Sequence, residues 1–316
     1  MTTTRFQELI AKNEAAHSRR RRITNAVMLT VTGLLTLLAL IPLFWIIGYV
    51  IYRGGSTINL DFFTQLARPL GMAGGGVLFS IEGTAVLTVL ACLFAIPPGV
   101  LAAFYVARNP NTPLGVALRF GTDVLAGVPS IVMGLFIYAL VVVPAKHYSA
   151  WAGGLALAIL MLPIIVRTTE EMLKLVPHTM REASLGLGAP EWKTSLSVMF
   201  PAALNGIITG FLLAIARSVG ETAPLLFTAL GNEQYDLGTI IGGGIKYHQS
   251  LSAIIGRIVN QPVDSLPLTL WKYSQQPYPE RIDESWGVAL VLMIFVLLIE
   301  ILARLYVESR KRALQG

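Results

Sequence analysis

The chain has 316 residues, of which 54% are hydrophobic and only 13% are charged, and its formal net charge is +6 at pH 7. Soluble globular domains carry about 25% charged residues, so this composition excludes an ordinary soluble domain and indicates a chain whose solvent is lipid. The positive charge does not indicate a nucleic-acid binder, because most of the 24 lysines and arginines cluster at the ends of long apolar runs.

Six apolar runs of about 18 residues or more predict membrane-spanning helices. In chain order they cover residues 23–52, 83–107, 124–145, 148–166, 194–216 and 286–307. Only the sixth contains charges, Glu300 and Arg304, which lie four residues apart on one helix face near its end. The sequence therefore predicts an all-α integral membrane protein with six transmembrane helices.

The distribution of basic residues predicts the orientation of these helices. In a six-span arrangement the basic N-terminal and C-terminal segments and the connections after the second and fourth spans fall on one side. Basic residues are enriched in cytoplasmic loops, so we expect this side and both termini to be cytosolic in a multi-pass protein of the cytoplasmic membrane. Lys146 and Lys272 are expected outside. The first run is too long for a signal peptide and is interpreted as a retained span.

These spans suggest a division of the chain into four parts. We expect a basic, loosely ordered cytosolic tail (1–22), a first span with an external loop (23–75), a transmembrane domain of five helices (76–307) and a cytosolic C-terminal tail (308–316). Within the external parts, a short helix is predicted at 60–66 and several short interfacial helices at 229–285. Residues 236–260 of this second part match no sequence motif that indicates a structure or a function.

Proline and glycine predict two irregularities at membrane depth. Pro97 and Pro98 are expected to kink the second span, because proline removes backbone donors. The stretch Gly127-Val128-Pro129-Ser130 predicts a break in the third. Freed backbone carbonyls in a membrane need protein or a water-filled cavity as partners. Helix packing and the lining of a transport pathway both remain compatible with such breaks.

A polar segment, residues 168–201, joins the fourth and fifth spans. It carries Glu182-Ala183-Ser184, then Gly188, and Pro201 thirteen residues later. Thr179 and Glu182 have the spacing of a capping box, and Gly186, Gly188 and Pro190 are helix stop signals. The pattern predicts a short exposed helix over 180–187. The spacing alone is equally compatible with an ordinary surface turn.

This segment resembles the EAA loop of permease subunits of ATP-binding-cassette importers, the loop that docks on the ATPase. The resemblance implies a type I importer permease (MetI-like) fold and a coupling role for Glu182, Ala183, Ser184, Gly188 and Pro201. The family pattern has Ala at the position of Ser184, and Ile and Leu at those of Val198 and Phe200.

The fifth span ends in a second candidate site. Arg217 and Glu221 stand four residues apart, followed by Thr222 and Pro224. Ionisable groups at membrane depth are costly and are by default functional. One alternative is a mutual ion pair that only neutralises both charges. The other is an anion pathway, because an arginine fork matches an oxyanion and Pro224 is expected to bend the helix beside it.

Three stretches resemble permeases of phosphate-specific transport systems. They are A-R-S-V-G-E-T-A-P-L at 216–225, D-V-L-A-G-V-P-S-I-V-M-G-L at 123–135 and L-P-L-T-L-W-K-Y-S-Q-Q-P at 266–277. The resemblance implies import of inorganic phosphate by alternating access, with Arg217, Glu221 and Thr222 on the substrate pathway. It also implies three partners: a second permease (PstC-like), a homodimeric ATPase (PstB-like) and an extracytoplasmic phosphate-binding protein (PstS-like). Another oxyanion such as sulfate or molybdate, and a self-standing channel, remain as alternatives.

Catalytic and cofactor motifs do not occur in the sequence. There is no G-x-x-x-x-G-K-[ST] and no H-E-x-x-H, and the four histidines follow no metal-ligand spacing. Cys92 is the single cysteine, so no intramolecular disulfide can form. We expect no catalytic or metal site in this chain, which is not itself an enzyme, and expect ATP and magnesium to be bound by partner ATPase subunits.

Overall fold

The computed structural model describes residues 3–69, 72 and 74–315, and these fold almost entirely into helices. The helices are α1 (Thr3–Gly55), α2 (Leu60–Thr64), α3 (Leu78–Arg108), α4 (Pro113–Gly127), α5 (Ser130–Ile137), α6 (Val143–Ala145), α7 (Ala150–Lys174), α8 (His178–Gly186), α9 (Glu191–Thr194), α10 (Phe200–Val219), α11 (Ala223–Thr228), α12 (Leu237–Lys246), α13 (Leu251–Val259), α14 (Leu266–Ser274) and α15 (Pro279–Gln315). π-helical turns join α5 to α6 and α9 to α10. The chain divides into two compact units, Met1–Tyr52 and Arg53–Gly316.

The described helices confirm the predicted membrane architecture. Five of them are long and apolar enough to cross a membrane, and the α4–α6 region makes a sixth if the bent pair is counted as one span. The observed helices extend beyond the apolar runs: α7, for example, continues to Lys174, eight residues past the predicted end at residue 166. Helical hydrogen bonding does not stop at the edge of the apolar run, so hydropathy locates spans better than helix ends.

One expectation about local structure is wrong. Residues 3–22 are not loosely ordered but continue α1, which runs without a break from Thr3. This stretch contains no glycine or proline and is rich in good helix formers. The pair Pro97 and Pro98 lies inside α3, which is one helix of 31 residues, and the kink expected there stays a prediction. The short helix predicted at 60–66 is confirmed as α2, where the Asn59 side chain accepts a hydrogen bond from the Phe62 amide at 2.8 Å.

The predicted break in the third span is confirmed. The chain turns by 106° between α4 and the helical stretch that begins at Ser130. Val128 and Pro129 are both extended at this turn, with ψ values of 133° and 139°. The residue before a proline is disfavoured in the helical region, so Val128 ends α4. The helix before the break begins at Pro113, well before the predicted start of the span at residue 124, and contains Arg119 and Asp123.

Helix α7 is the centre of the unit formed by residues 53–316. Its candidate span is 61% buried, compared with 22–28% for those of α3, α10 and α15. The buried face of α7 is rich in small residues in its first half, including Ala152, Ala156 and Ala158, which let α3 and α5 approach closely. The main buried cluster joins α3, α7, α14 and α15.

Short helices fill the region after α11, as predicted. Helices α12, α13 and α14 precede α15, which begins at Pro279 rather than at the predicted residue 286. The region is held on α3 by the Glu82 carboxylate, which accepts from the Leu237 amide at 2.8 Å, and by the Thr84 hydroxyl, which accepts from the Leu266 amide at 2.9 Å. The amide of Ala150 at the start of α7 donates to Gln261 at 2.9 Å. We call this the outer end of the helices, and the opposite end, next to α8, the inner end.

Candidate functional site

Helix α8 forms the middle of the segment between α7 and α10. It spans His178–Gly186, and its N-cap is Pro177, so the predicted capping box at Thr179 and Glu182 is wrong. Proline fixes φ near −65°, and Pro177 adopts φ −56° with an extended ψ of 132°, which places the helix start directly after it. Thr179 therefore lies in the first turn and not at the cap.

The predicted end of α8 is confirmed by its hydrogen bonds. The Ala189 amide donates to the Ser184 carbonyl at 3.2 Å and the Gly188 amide donates to the Leu185 carbonyl at 2.9 Å. This pair of bonds is a Schellman motif, which needs a left-handed residue after the helix. Gly188 supplies it with φ +82°. The segment therefore turns sharply at Gly188 because a residue without Cβ is placed there.

The other predicted coupling residues occupy different places in the segment. Glu182 and Ala183 are exposed on α8, and Pro201 is exposed in the first turn of α10. The Ser184 hydroxyl lies 2.9 Å from the hydroxyl of Thr194, which is 1% exposed. Serine in place of alanine at position 184 thus links α8 to α9 through a partly buried hydrogen bond.

An ion-pair cluster that the sequence analysis missed connects α8 to α3. The Glu191 carboxylate contacts the guanidinium of Arg108, at the end of α3, and lies 3.5 Å from that of Arg181 on α8. Arg108 also reaches the Ser195 hydroxyl at 3.5 Å. We call Arg108, Arg181 and Glu191 the inner cluster. Glu191 lies 83 residues from Arg108 but only 10 from Arg181 in the chain. A local sequence pattern could therefore have indicated only the Arg181–Glu191 pair.

A second set of ion pairs connects α4 to α7 at the same end. Glu170, which is 6% exposed, accepts from Arg119 at 2.5 Å and also contacts Lys174. Arg167 pairs with Asp123. The α4 helix that leads to the break at Val128 is therefore tied to α7, the helix that leads to α8.

Arg217 and Glu221 form a loose ion pair that is not hydrogen-bonded. Helix α10 ends at Val219, so Glu221 is not on the same helix, and the chain breaks before Pro224 instead of bending through it. The Arg217 Nε and Glu221 Oε1 atoms are 3.7 Å apart, beyond hydrogen-bond distance. Arg217 keeps 61% of its side chain exposed, while Glu221 keeps 19%. Thr222 has no side-chain cap bond at the start of α11, although its carbonyl accepts from the Leu225 amide at 3.1 Å.

Arg217 faces a small pocket beside the break in the third span. The pocket has a volume of about 160 Å³ and is lined by Arg217 together with Val128, Pro129 and Ser130 of the break, and Pro163 near the middle of α7. Helix α5 begins at this pocket with Pro129 as its N-cap and no side-chain cap bond. An arginine fork and the first amides of a helix are both donors suited to an oxyanion.

The two motif stretches at 123–135 and 216–225 meet in the fold. A Cβ atom on Gly134 of α5 would lie 2.5 Å from the Pro224 Cα atom, so α5 and α11 can pack this closely only with glycine at position 134. The third stretch, 266–277, contains the whole of α14 at the outer end and does not touch this pocket. Its Ser80–Thr269 contact of 2.6 Å fixes α14 on α3.

The fold is similar to those of chains in solved ABC transporters. A chain of the MetNI methionine ABC transporter in an inward-facing conformation aligns with a TM-score of 0.53 at 20% identity, covering 74% of this chain and 94% of that one. A chain of a bacterial alginate ABC transporter, crystallised with its alginate-bound periplasmic protein, aligns with a TM-score of 0.55 at 12% identity over 90% of this chain and 94% of that one. These similarities establish the fold of an ABC importer permease of the MetI-like type.

Sequence relatives are much more similar. The phosphate transport system permease protein PstA of Yersinia pestis is 37% identical over 92% of each chain. PstA of Xylella fastidiosa (strain Temecula1) is 41% identical over 90% of this chain and 93% of its own, and PstA 1 of Mycobacterium tuberculosis (strain H37Rv) is 37% identical over 93% and 92%. Residues 95–312 match the family of binding-protein-dependent transport system inner membrane components. The chain therefore belongs to that family, in the group of the PstA permease proteins.

Proposed function

We propose that this chain is the permease subunit of an ATP-driven importer that moves inorganic phosphate across the cytoplasmic membrane by alternating access. The relatives that are 36–41% identical over about nine tenths of the chain are permeases of phosphate transport systems. The structural observation that supports the proposal is the position of Arg217, which lines a pocket at a helix break beside the middle of α7. Partner subunits, namely a PstC-like permease, a homodimeric PstB-like ATPase and a PstS-like binding protein, complete the importer.

The geometry around Arg217 suits a mobile anion better than a fixed structural pair. A buried structural ion pair needs close contact to offset desolvation, and the Arg217–Glu221 separation of 3.7 Å does not provide it. The exposed guanidinium keeps free donors for the phosphate oxygens, and Glu221 is near enough to hold it when the pathway is empty. Glu221 and Thr222 lie in the break between α10 and α11 and do not line the pocket itself; we assign them to the same passage because Glu221 lies next to Arg217.

Coupling to the ATPase is assigned to the segment that contains α8. Glu182, Ala183, Ser184 and Gly188 lie on or directly after this short exposed helix, and Pro201 begins α10. When the ATPase dimer closes, α8 moves as a rigid body. The inner cluster transmits this movement to α3, and the Glu170 and Asp123 pairs transmit it through α7 to α4 and the break at Val128.

The same assignment sets the orientation in the membrane. The inner end, next to α8, lies in the cytosol and Lys146 lies outside, and the positions of the basic residues assign both termini to the cytosol as well. In a Cys92→Ser background, a cysteine at the exposed position 146 reacts with an impermeant thiol reagent added to sealed cells, whereas one at position 193 does not. Labelling at 193 and not at 146 contradicts this orientation.

Phosphate uptake by Arg217→Gln tests the function. Glutamine retains some hydrogen bonding but removes the charge, and a charged hydrogen bond contributes about 1.5–3 kcal/mol, so uptake falls about tenfold to a hundredfold while the complex still assembles. Arg217→Lys restores only part of the uptake, because lysine retains the charge but not the fork. Uptake of labelled phosphate and of labelled sulfate is measured in cells with equal amounts of each complex. Normal phosphate uptake by Arg217→Gln contradicts the pathway, and preferential sulfate uptake by the wild type contradicts the substrate.

A further inference from the structure

A separate pocket at the inner end contains a concentration of basic side chains. It has a volume of about 330 Å³ and lies where the ends of α3 and α7 meet the start of α8. We call it the inner basic pocket, and its basic lining residues are Arg108, Lys174, His178 and Arg181. Apolar side chains, including Phe104 and Met199, line the rest. A volume above about 300 Å³ with an apolar wall and a few convergent polar groups is typical of ligand sites.

The charges around this pocket do not balance. Glu191 is shared between Arg108 and Arg181, and Glu170 is shared between Lys174 and Arg119. The two arginines and the lysine of the lining thus share two carboxylates, one of which also serves Arg119 outside the pocket, and none of the described residues that line the pocket is an aspartate or glutamate. The pocket therefore retains a positive charge that an anion can neutralise.

The backbone adds donors of the same kind. Helix α8 begins at His178, on the wall of the pocket, and its N-cap proline has no side chain that can accept a hydrogen bond; the Met180 amide donates to the Pro177 carbonyl at 3.1 Å, which leaves the amides of His178 and Thr179 as donors. Free amides at a helix N-terminus favour negative charge. Guanidinium, ammonium and helix amides together match the oxygens of a phosphate group better than those of a neutral ligand.

We infer that the inner basic pocket is a binding site for an anionic phosphate group, distinct from the Arg217 pathway. Lys174 and Arg181 hold the phosphate oxygens from opposite sides, one on α7 and the other on α8. The apolar wall accommodates the hydrocarbon of a phospholipid, and basic pockets between membrane helices are typical headgroup sites. A bound phosphate group bridges α8 to α7, so its occupancy adjusts how α8 moves. This last consequence rests on the proposed coupling role of α8, whereas the binding site itself does not.

Two sources can supply this group, a lipid headgroup and free phosphate, and the experiment separates them. The purified importer complex is stripped of lipid in detergent, and bound phosphatidylglycerol or cardiolipin is counted by native mass spectrometry after back-addition. Phosphatidylcholine serves as the neutral lipid. In the second arm, inorganic phosphate binding is measured by equilibrium dialysis in an Arg217→Gln background, which removes the pathway contribution. Specific retention in either arm supports the site and identifies the source.

Variants locate the binding. The double change Lys174→Gln and Arg181→Gln weakens retention by at least tenfold, because each lost charged hydrogen bond corresponds to on the order of tenfold in affinity. Ala107→Trp fills the pocket without removing a charge and weakens retention similarly, which guards against a folding defect caused by the lost ion pairs. Lys193→Gln removes an exposed charge from the same segment, outside the pocket lining, and leaves retention unchanged.

Either of two results overturns the inference. If the wild type binds neither anionic lipid above phosphatidylcholine nor inorganic phosphate, or if Ala107→Trp and the double variant bind as the wild type does, the pocket holds no phosphate group. Such a result leaves the phosphate uptake of the importer untouched, so the two proposals fail separately.

Discussion

The Asp264–Lys272 pair at the outer end and the inner cluster contain the same ion-pair chemistry in different environments. At the outer end, Asp264 is completely buried and contacts Lys272, whose side chain is 24% exposed. At the inner end, the members of the inner cluster keep 33–48% of their side chains exposed. Burial raises the pKa of Asp264, and the neighbouring Lys272 acts in the opposite direction. Loss of its partner destabilises a buried charge strongly, because water cannot take the partner's place. An exposed charge loses little free energy, since water replaces the partner.

This difference matches what each end has to do. The Asp264–Lys272 pair and the Ser265 side-chain cap hold the start of α14 in place, and the Ser80–Thr269 contact fixes α14 on α3. The inner cluster holds α8, the helix that moves with the ATPase in the proposed coupling. We therefore expect outer substitutions to change stability and inner substitutions to change coupling, and four variants test this division, from the largest expected effect to the smallest.

Asp264→Ala gives the largest loss of stability. It leaves Lys272 without its buried partner, and removing one member of a buried pair costs about 3–5 kcal/mol. The amount of folded chain in the membrane and the thermal unfolding of the purified complex measure the loss. Glu233→Gln is the matched control, because Glu233 lies 3.9 Å from the same Lys272 and is 37% exposed. Equal effects of the two variants contradict the distinction by burial.

Gly188→Ala comes next. Gly188 adopts φ +82°, and a left-handed conformation costs a residue with Cβ about 1–2 kcal/mol. The end of α8 is distorted, so phosphate-stimulated ATPase activity of the complex falls about tenfold while the chain still inserts. Gly186→Ala is the control: both glycines face open space, but Gly186 is helical, so alanine is tolerated there. Full ATPase stimulation in Gly188→Ala would show that the segment is an ordinary turn without a coupling role.

Glu191→Gln affects stability by no more than about 1 kcal/mol, because exposed ion pairs contribute little. It nevertheless releases Arg108 and Arg181 from each other, and we expect weaker ATPase stimulation from this loss of connection between α3 and α8. Thermal unfolding is compared with that of Asp264→Asn, which neutralises the buried carboxylate in the same way. A larger destabilisation by Glu191→Gln than by Asp264→Asn reverses the comparison of the two ends.

Glu182→Lys has the smallest effect on the isolated chain. Glu182 is exposed, and exposed substitutions usually change stability by about 0.5 kcal/mol or less. The charge reversal falls on the proposed docking surface, so the amount of ATPase that co-purifies is expected to drop. Unchanged co-purification together with normal phosphate-stimulated ATPase activity removes Glu182 from the docking surface.

Local signals in the sequence determined the spans, the break at Val128 and Pro129, and the end of α8 at Gly188. Each of these depends on one physical property of a short stretch: the length of an apolar run, the restriction imposed by a proline, or the left-handed freedom of a glycine. The start of α8 shows the limit of such signals. Thr179 and Glu182 had the spacing of a capping box, but Pro177 placed the cap two residues earlier.

Only the tertiary structure decided which charges meet. Glu191 and Arg108 are 83 residues apart, Glu170 and Arg119 are 51 apart, and nothing in the local pattern of either residue specifies its partner. The same holds for Arg217. The sequence marked it as costly at membrane depth, but its position beside Val128 and Pro163 follows from packing of α10 against α7. Residue types therefore determined the chemistry that is available, and the packing of distant helices decided where it is brought together.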